Sequence, residues 1–366
     1  MRRYYLGLNA GGPRVSECLF THGTSSDMRE FSEYLGGKYS GAPMLCKNGR
    51  SALCLALKSY FDPGDRIIVT GFTCYAVYEA IRAAEMVPVF ADIDPKDLNF
   101  DFKKLEKVVN KATKGIIVQN TLGNPIDIEK LERFAKKHKL IVIEDLAHSA
   151  GVKYLDRREA GTVGAAAVLS FGKDKSINTI SGGAVVLRAP CKHTVEAPFK
   201  IPRLSDYLRA RFYPLFCAFC KGLNYVHLGG LMMRFLIKIH FVERSADNKL
   251  DLIRKPAKFQ AKLAMERMKK FHSRGEPVLR NFCLVRDREE VLAKLRESGY
   301  YFDSLWYEKP VSPARYYKKV DFSEKNCPVA TKISQQIINF PKYYKKQDLM
   351  AAYKIAEPYL VGGEND

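Results

Sequence analysis

No stretch of this 366-residue chain is apolar for long enough to cross a bilayer, because the runs around 212–241 are broken by Lys221, Arg234 and Lys238. Nor does an apolar core of signal-peptide length follow the basic start Met1-Arg2-Arg3-Tyr4-Tyr5, so a cytoplasmic location is expected. The nine cysteines are an odd number with no disulfide-framework spacing, which suits a reducing compartment. Cys217 and Cys220 have redox or metal spacing, yet Phe216 and Phe219 flank them and no second pair follows, so no metal site is expected. Low-complexity tracts are missing, as are repeats with a period of roughly 20–50 residues, which argues against disordered and solenoid architectures. Acidic residues are short as well: 40 Asp and Glu stand against 60 Lys and Arg, a net charge of +20.

What remains is the composition of a globular protein, 46% hydrophobic and 27% charged, long enough for one large and one small domain. The positive surplus is uneven. Residues 203–274 carry 16 Lys and Arg against 5 Asp and Glu, so 11 of the 20 excess charges lie in one fifth of the chain. An acidic partner follows: a nucleotide-linked substrate, an anionic membrane surface or nucleic acid.

The first two hundred residues alternate short β-branched runs with helical spacing. Arg66–Thr70, Val87–Ala91, Gly115–Gln119, Leu140–Ile143, Ala165–Phe171 and Ala184–Leu187 read as strands, the most apolar of them buried on both faces. Between them Ala52–Tyr60, Thr73–Ala84, Phe102–Val109 and Ile128–His138 read as helices. This alternation predicts an α/β fold: a mostly parallel central sheet with helices on both faces. The expected division is an arm over 1–20, a large domain over 21–250 and a small C-terminal α/β domain over 251–366. In such sheets ligands collect at the carboxyl ends of the strands, where both Gly49-Arg50-Ser51 and Asp145 fall.

Three residue types at that rim belong together chemically. Asn48-Gly49-Arg50-Ser51 turns into a helix whose first amides form an anion site. Asp145 ends an apolar strand, where a carboxylate is costly to bury without a cation or strong donor. Lys175 lies 30 residues further on, ahead of Gly182-Gly183. Taken singly each is ordinary: a turn, a helix cap and a loop charge. Together they are what pyridoxal phosphate requires: a phosphate cup, a carboxylate for the ring nitrogen and an amine for the aldehyde.

The run Glu144-Asp145-Leu146-Ala147-His148-Ser149-Ala150-Gly151, then Leu169-Ser170-Phe171 with Lys175 four residues on, resembles the DegT/StrS-type sugar aminotransferases, a branch of the fold-type-I pyridoxal phosphate enzymes. The likeness extends through Asn48–Leu53, Pro63-Gly64-Asp65, Pro88–Asp94, Gly123 with Pro125, and Ile337–Pro341. It implies that Lys175 carries the cofactor and shuttles the proton, that Asp145 keeps the pyridine nitrogen protonated, and that His148 stands near the phenolic oxygen. The amides of Arg50 and Ser51 behind Gly49, with the Ser170 hydroxyl, would hold the phosphate. Lys173 also fits the spacing loosely, but the Ser-Phe-x-x-x-Lys register favours Lys175. Cys74 stands where the family has its ring-stacking aromatic, leaving Tyr75 or Phe72 for that role. The segment that crosses to a neighbouring subunit's phosphate has no clear match; Asn224-Tyr225 lies too far along and Arg254-Lys255 sits better.

The resemblance further implies a homodimer that takes an amino group from an amino acid, glutamate by family habit, and gives it to a nucleotide- or lipid-linked keto sugar. A dehydratase of the same fold is the nearest rival, although the known branch of that kind replaces the lysine with histidine. A non-catalytic protein at a membrane or on nucleic acid is the other. Residues 203–245 alternate Arg and Lys with Tyr, Phe, Leu and Met and match nothing in the family. They read either as a lid or dimer-contact helix pair or as an interfacial segment on an anionic inner membrane face; no nucleic-acid motif supports the third partner.

Overall fold

The computed structural model describes every residue except 1–3, 7–11, 174, 189, 224–225, 227, 245–246, 275–279, 303–305, 342–345 and 362–366. Asn224 and Tyr225 therefore lie outside the described residues. The chain opens with β1 (Tyr4–Leu6), α1 (Val15–Phe20), α2 (Ser25–Tyr39), β2 (Ala42–Cys46) and α3 (Gly49–Tyr60). There follow β3 (Arg66–Thr70), β4 (Thr73–Cys74), α4 (Tyr75–Ala83), β5 (Val87–Ala91), α5 (Phe102–Val108), β6 (Thr113–Val118) and α6 (Ile128–His138). Then come β7 (Ile141–Asp145), β8 (Ala166–Ser170), β9 (Gly183–Leu187) and the helices α7 (Leu204–Leu223), α8 (Gly229–Lys238) and α9 (Lys258–Arg274). The last part holds β10 (Arg280–Leu284), α10 (Arg288–Glu297), β11 (Tyr300–Phe302), β12 (Val311–Ser312), α11 (Ala314–Tyr317), α12 (Pro328–Gln336), β13 (Ile337–Pro341) and α13 (Lys346–Ala356).

Seven strands form the central sheet in the order β2-β9-β8-β7-β6-β3-β5. β9 alone runs against its neighbours, antiparallel to both β2 and β8, and every other pair is parallel. Consecutive residues of each strand face opposite sides, so both sides must be apolar. Ile68 and Ile116 pack with Phe31, Leu131 and Phe134 on the side covered by α2 and α6. Ile67 and Ile117 pack with Leu53, Leu57 and Ile81 under α3 and α4.

Helix α9 carries Ala261, Ala264 and Met268 into the same core as Phe31 and Leu35 of α2. A separate core, with Cys283, Val291, Leu295 and Phe340, begins at β10. Near the amino terminus β1 pairs in parallel with β11, and Cys18 of α1 packs with the α7–α8 pair. Cys217 and Cys220 are buried free thiols in that cluster, and no metal-binding group occurs among the described residues. β12 pairs with β4 at Thr73 and Cys74, bringing the small domain to the carboxyl edge of the sheet.

Candidate active site

The rim begins where β2 turns into α3. Asn48 caps the helix, its Oδ1 accepting from the Ser51 amide at 2.9 Å. Two glycines allow the next layer to close. A Cβ on Gly49 would stand 2.6 Å from Cβ of Ser170, and one on Gly183 would stand 2.4 Å from the Asn48 carbonyl carbon. Gly182, with φ of +121°, turns the chain into β9 at that point. The pairing Asn48 to Gly182 thus seats the positive end of α3 directly on the end of β8, with Ser170 between them.

Of the residues expected there, Gly49, Arg50 and Ser170 meet in this cup, while Ser51 is already engaged. Its amide donates to Asn48, and its hydroxyl donates to Asn48 Oδ1 at 3.0 Å and accepts from the Asp251 amide at 2.9 Å. The Arg50 side chain runs to Glu79 at 2.6 Å and to the Asn248 carbonyl.

Asp145 closes β7 and is buried. Its carboxylate accepts from the Ala147 amide at 3.0 Å and from Nε2 of Gln119 at 3.3 Å. Burial pushes its pKa above the ordinary aspartate value, against the pull of the Ala147 amide, Lys175 and Gln119. Gln119 is held in turn by the Thr73 hydroxyl at 2.6 Å. It follows β6, where Val118 is paired with Glu144, so a polar side chain after a buried strand was the available signal.

His148 is buried three residues later, and its Nδ1 accepts from the Leu122 amide at 3.3 Å. Leu122 holds φ of +55° in the Asn120–Gly123 turn, which aims that amide inward. Burial, then the positive charges of Lys175 and Arg280, hold His148 well below the usual histidine range. A neutral imidazole that accepts on Nδ1 carries its proton on Nε2.

The two candidate lysines separate cleanly. Lys173 Nζ lies 4.1 Å from the Tyr213 ring centroid and donates to the Glu243 carbonyl, facing α7. Lys175 Nζ lies 4.9 Å from the Trp306 ring centroid and acts electrostatically on both Asp145 and His148. Trp306, the chain's single tryptophan, stacks on His148 at 5.0 Å and 23°, with the Arg280 guanidinium 4.4 Å from its ring. Arg280 is buried and donates to Asn339 at 3.1 Å. Arg280 and Trp306 lie 132 and 158 residues from His148 along the chain, where local spacing carries no signal. Of the aromatics expected over a ring, Tyr75 stacks on Tyr316 at 4.5 Å and Phe72 packs on Tyr307 at 4.5 Å.

Residues 20–201 match the DegT/DnrJ/EryC1/StrS aminotransferase family. The chain belongs to this family. The matched span holds the cup, Asp145, His148 and Lys175, and it stops just before α7. Among relatives in sequence, the pleiotropic regulatory protein of Geobacillus stearothermophilus is 27% identical over 325 residues, 86% of this chain and 84% of that protein. The GDP-perosamine synthase of Caulobacter vibrioides is 35% identical over 179 residues, so the chain spans 47% of that relative's length. In structure, the putative sugar aminotransferase Spr1654 of Streptococcus pneumoniae, solved in its PMP-form, superposes with a TM-score of 0.66 over 94% of each chain at 16% identity. The family fold therefore extends through the small domain, well beyond the span where the sequence motifs are dense.

Proposed function

We propose that this family member is a pyridoxal-phosphate-dependent aminotransferase. It moves an amino group from an amino acid, glutamate, to a keto sugar carried on a nucleotide or a lipid, and it serves cell-surface polysaccharide or amino-sugar synthesis as a homodimer. The observation that carries the reading is Asp145: a buried carboxylate with two neutral donors beside a lysine is built to receive one more proton-bearing group.

The residues fit the cofactor. The Gly49–Ser170 contact leaves a cradle that a side chain on Gly49 would fill, at a helix N-terminus suited to phosphate. Bound pyridoxal phosphate supplies an electron sink for the carbon that gains or loses the amino group. Asp145 holds the proton on the ring nitrogen. His148, fixed as the Nε2–H tautomer by Leu122, donates a hydrogen bond to the phenolic oxygen. Lys175 would hold the cofactor through its aldehyde, and its Nζ would be the group that moves a proton at the reacting carbon. Trp306 and Arg280 close the side that the small domain covers, keeping water from the amine.

The test is a spectral screen of purified protein against amino donors and nucleotide- or lipid-linked keto sugars. Conversion of the cofactor to its amine form by a donor, and return by a keto sugar, supports the reading. Water loss from the sugar with no amino transfer would favour the dehydratase, and no cofactor uptake would end both. Elution as a monomer at working concentration contradicts the dimer.

A further inference from the structure

The α7–α8 pair lies beyond the family match and outside the site, and its surface is unlike the rest of the molecule. Among the described residues 17 large apolar side chains are exposed, and 12 of them fall between Phe199 and Phe241. They follow helical spacing. One face of α7, with Ala210, Tyr213, Cys217 and Cys220, packs on Phe259 and Leu263. The opposite stripe, with Leu204, Leu208, Leu215 and Phe219, stands in solvent. In α8, Leu236 turns inward while Leu231 and Phe235 turn out, followed by Ile239. A helix that is apolar on both faces requires a second cover, and a patch of this extent marks a docking face.

The charge around the stripe selects the cover. Lys200, Arg203, Lys221, Arg234, Lys238 and Arg244 are all exposed in the same stretch. Its two acids are engaged, Asp206 with Lys47 at 2.8 Å and Glu243 with Arg209 at 2.5 Å. A second copy related by a two-fold axis would bring the same cations against themselves. A nucleic acid would take the cations and leave the leucines and phenylalanines uncovered. An anionic bilayer accepts both, apolar side chains at the acyl boundary and cations at the headgroups. No helix among the described residues is long and apolar enough to cross a membrane, so the pair lies in the plane.

We infer that the α7–α8 hairpin is an in-plane anchor that docks this protein on an anionic lipid bilayer. Its inner side is fastened to the body, where Arg211 donates to the carbonyls of Cys18 and Leu19 at 2.7 and 2.8 Å and to that of Thr21 at 3.2 Å. It also reaches the rim of the site, because Lys173, two residues before Lys175, packs on Tyr213 of α7. Docking does not depend on the proposed transamination. If both hold, the sugar presented at the rim is a lipid-linked one.

Co-sedimentation of the full-length protein with vesicles of phosphatidylcholine, with and without phosphatidylglycerol, tests the anchor. The protein pellets with the anionic vesicles, and Phe219→Asp with Phe235→Asp lowers the bound fraction at least tenfold. Arg234→Gln with Lys238→Gln weakens binding about thirtyfold, roughly fivefold for each cation removed. Both variants change only exposed side chains, and each is checked for wild-type melting temperature and cofactor absorbance. Absence of wild-type binding, or equal binding by the Phe219/Phe235 variant, overturns the inference. A wild-type dimer that the same variant dissociates would assign the face to a second copy instead. Retention on an oligonucleotide but not on vesicles would assign it to nucleic acid.

Discussion

Glu144 and Asp145 end the same strand, yet the Glu144 carboxylate accepts from Tyr154 at 2.8 Å and from the amides of Gly161, Val163 and Gly164 at 2.7, 2.8 and 2.6 Å, whereas Asp145 accepts from one amide and one carboxamide. Successive strand residues face opposite sides of the sheet, and the two acids serve different neighbours. Glu144 holds the loop that leads back into β8. Asp145 keeps its capacity for a ligand. Glu144→Ala strands three amides and a phenol, and it should cost at least about 3 kcal/mol of stability. A melting temperature within error of wild type would contradict the structural role.

Asp145 should show the reverse balance of stability and function. Its folded pKa lies above the unfolded value, so its favourable contribution is complete below the unfolded value and is lost as pH rises through the folded one. Raising the pH through the folded value therefore costs the cofactor-free protein stability at this group. Asp145→Asn should raise the cofactor-free melting temperature relative to wild type as pH rises through the folded value, with the gain shrinking as pH falls toward the carboxylate range. Transamination should fall by at least about a hundredfold. Unchanged turnover would remove Asp145 from the chemistry.

His148 gives the opposite pH sign. Its folded pKa is depressed, so below an unfolded value of about 6.5 the unfolded chain binds more protons and stability falls with pH. His148→Gln should lose less stability than wild type between about pH 7 and 5, measured by denaturant titration at each pH. Parallel loss in both proteins would place the depressed titration elsewhere.

Gly183 tests the seating of α3. A methyl group there meets backbone at 2.4 Å, which no side-chain rearrangement relieves. Gly183→Ala should separate β9 from the Asn48 turn, costing about 1–3 kcal/mol and weakening cofactor binding at least tenfold. Binding as tight as wild type by fluorescence titration would show that the cup does not depend on this contact.

Much of this was legible along the chain. β3, β5, β6 and β7 are β-branched runs of strand length bounded by turns, and their parallel pairing follows from the helices between them. The cup and the acid–lysine pair were readable because each lies at a strand end with a fixed local pattern. The reversed direction of β9 was not readable, since strand order depends on contacts far apart in sequence. Gln119 and Leu122 reach the site through a neighbouring strand end, and Trp306 and Arg280 through the small domain. The stacking of Tyr75 on Tyr316, 241 residues apart, was likewise invisible to local reading. The packing of α9 on α2 was not legible either, since nothing in the sequence of α9 names that partner.

The central claim is that Lys175, not Lys173, carries the cofactor. Protein loaded with pyridoxal phosphate, reduced with borohydride and digested, should yield one modified peptide with the added mass on Lys175. Lys173→Ala should label as wild type, and Lys175→Ala should not label. Mass on Lys173, or an unlabelled wild type, would contradict the account.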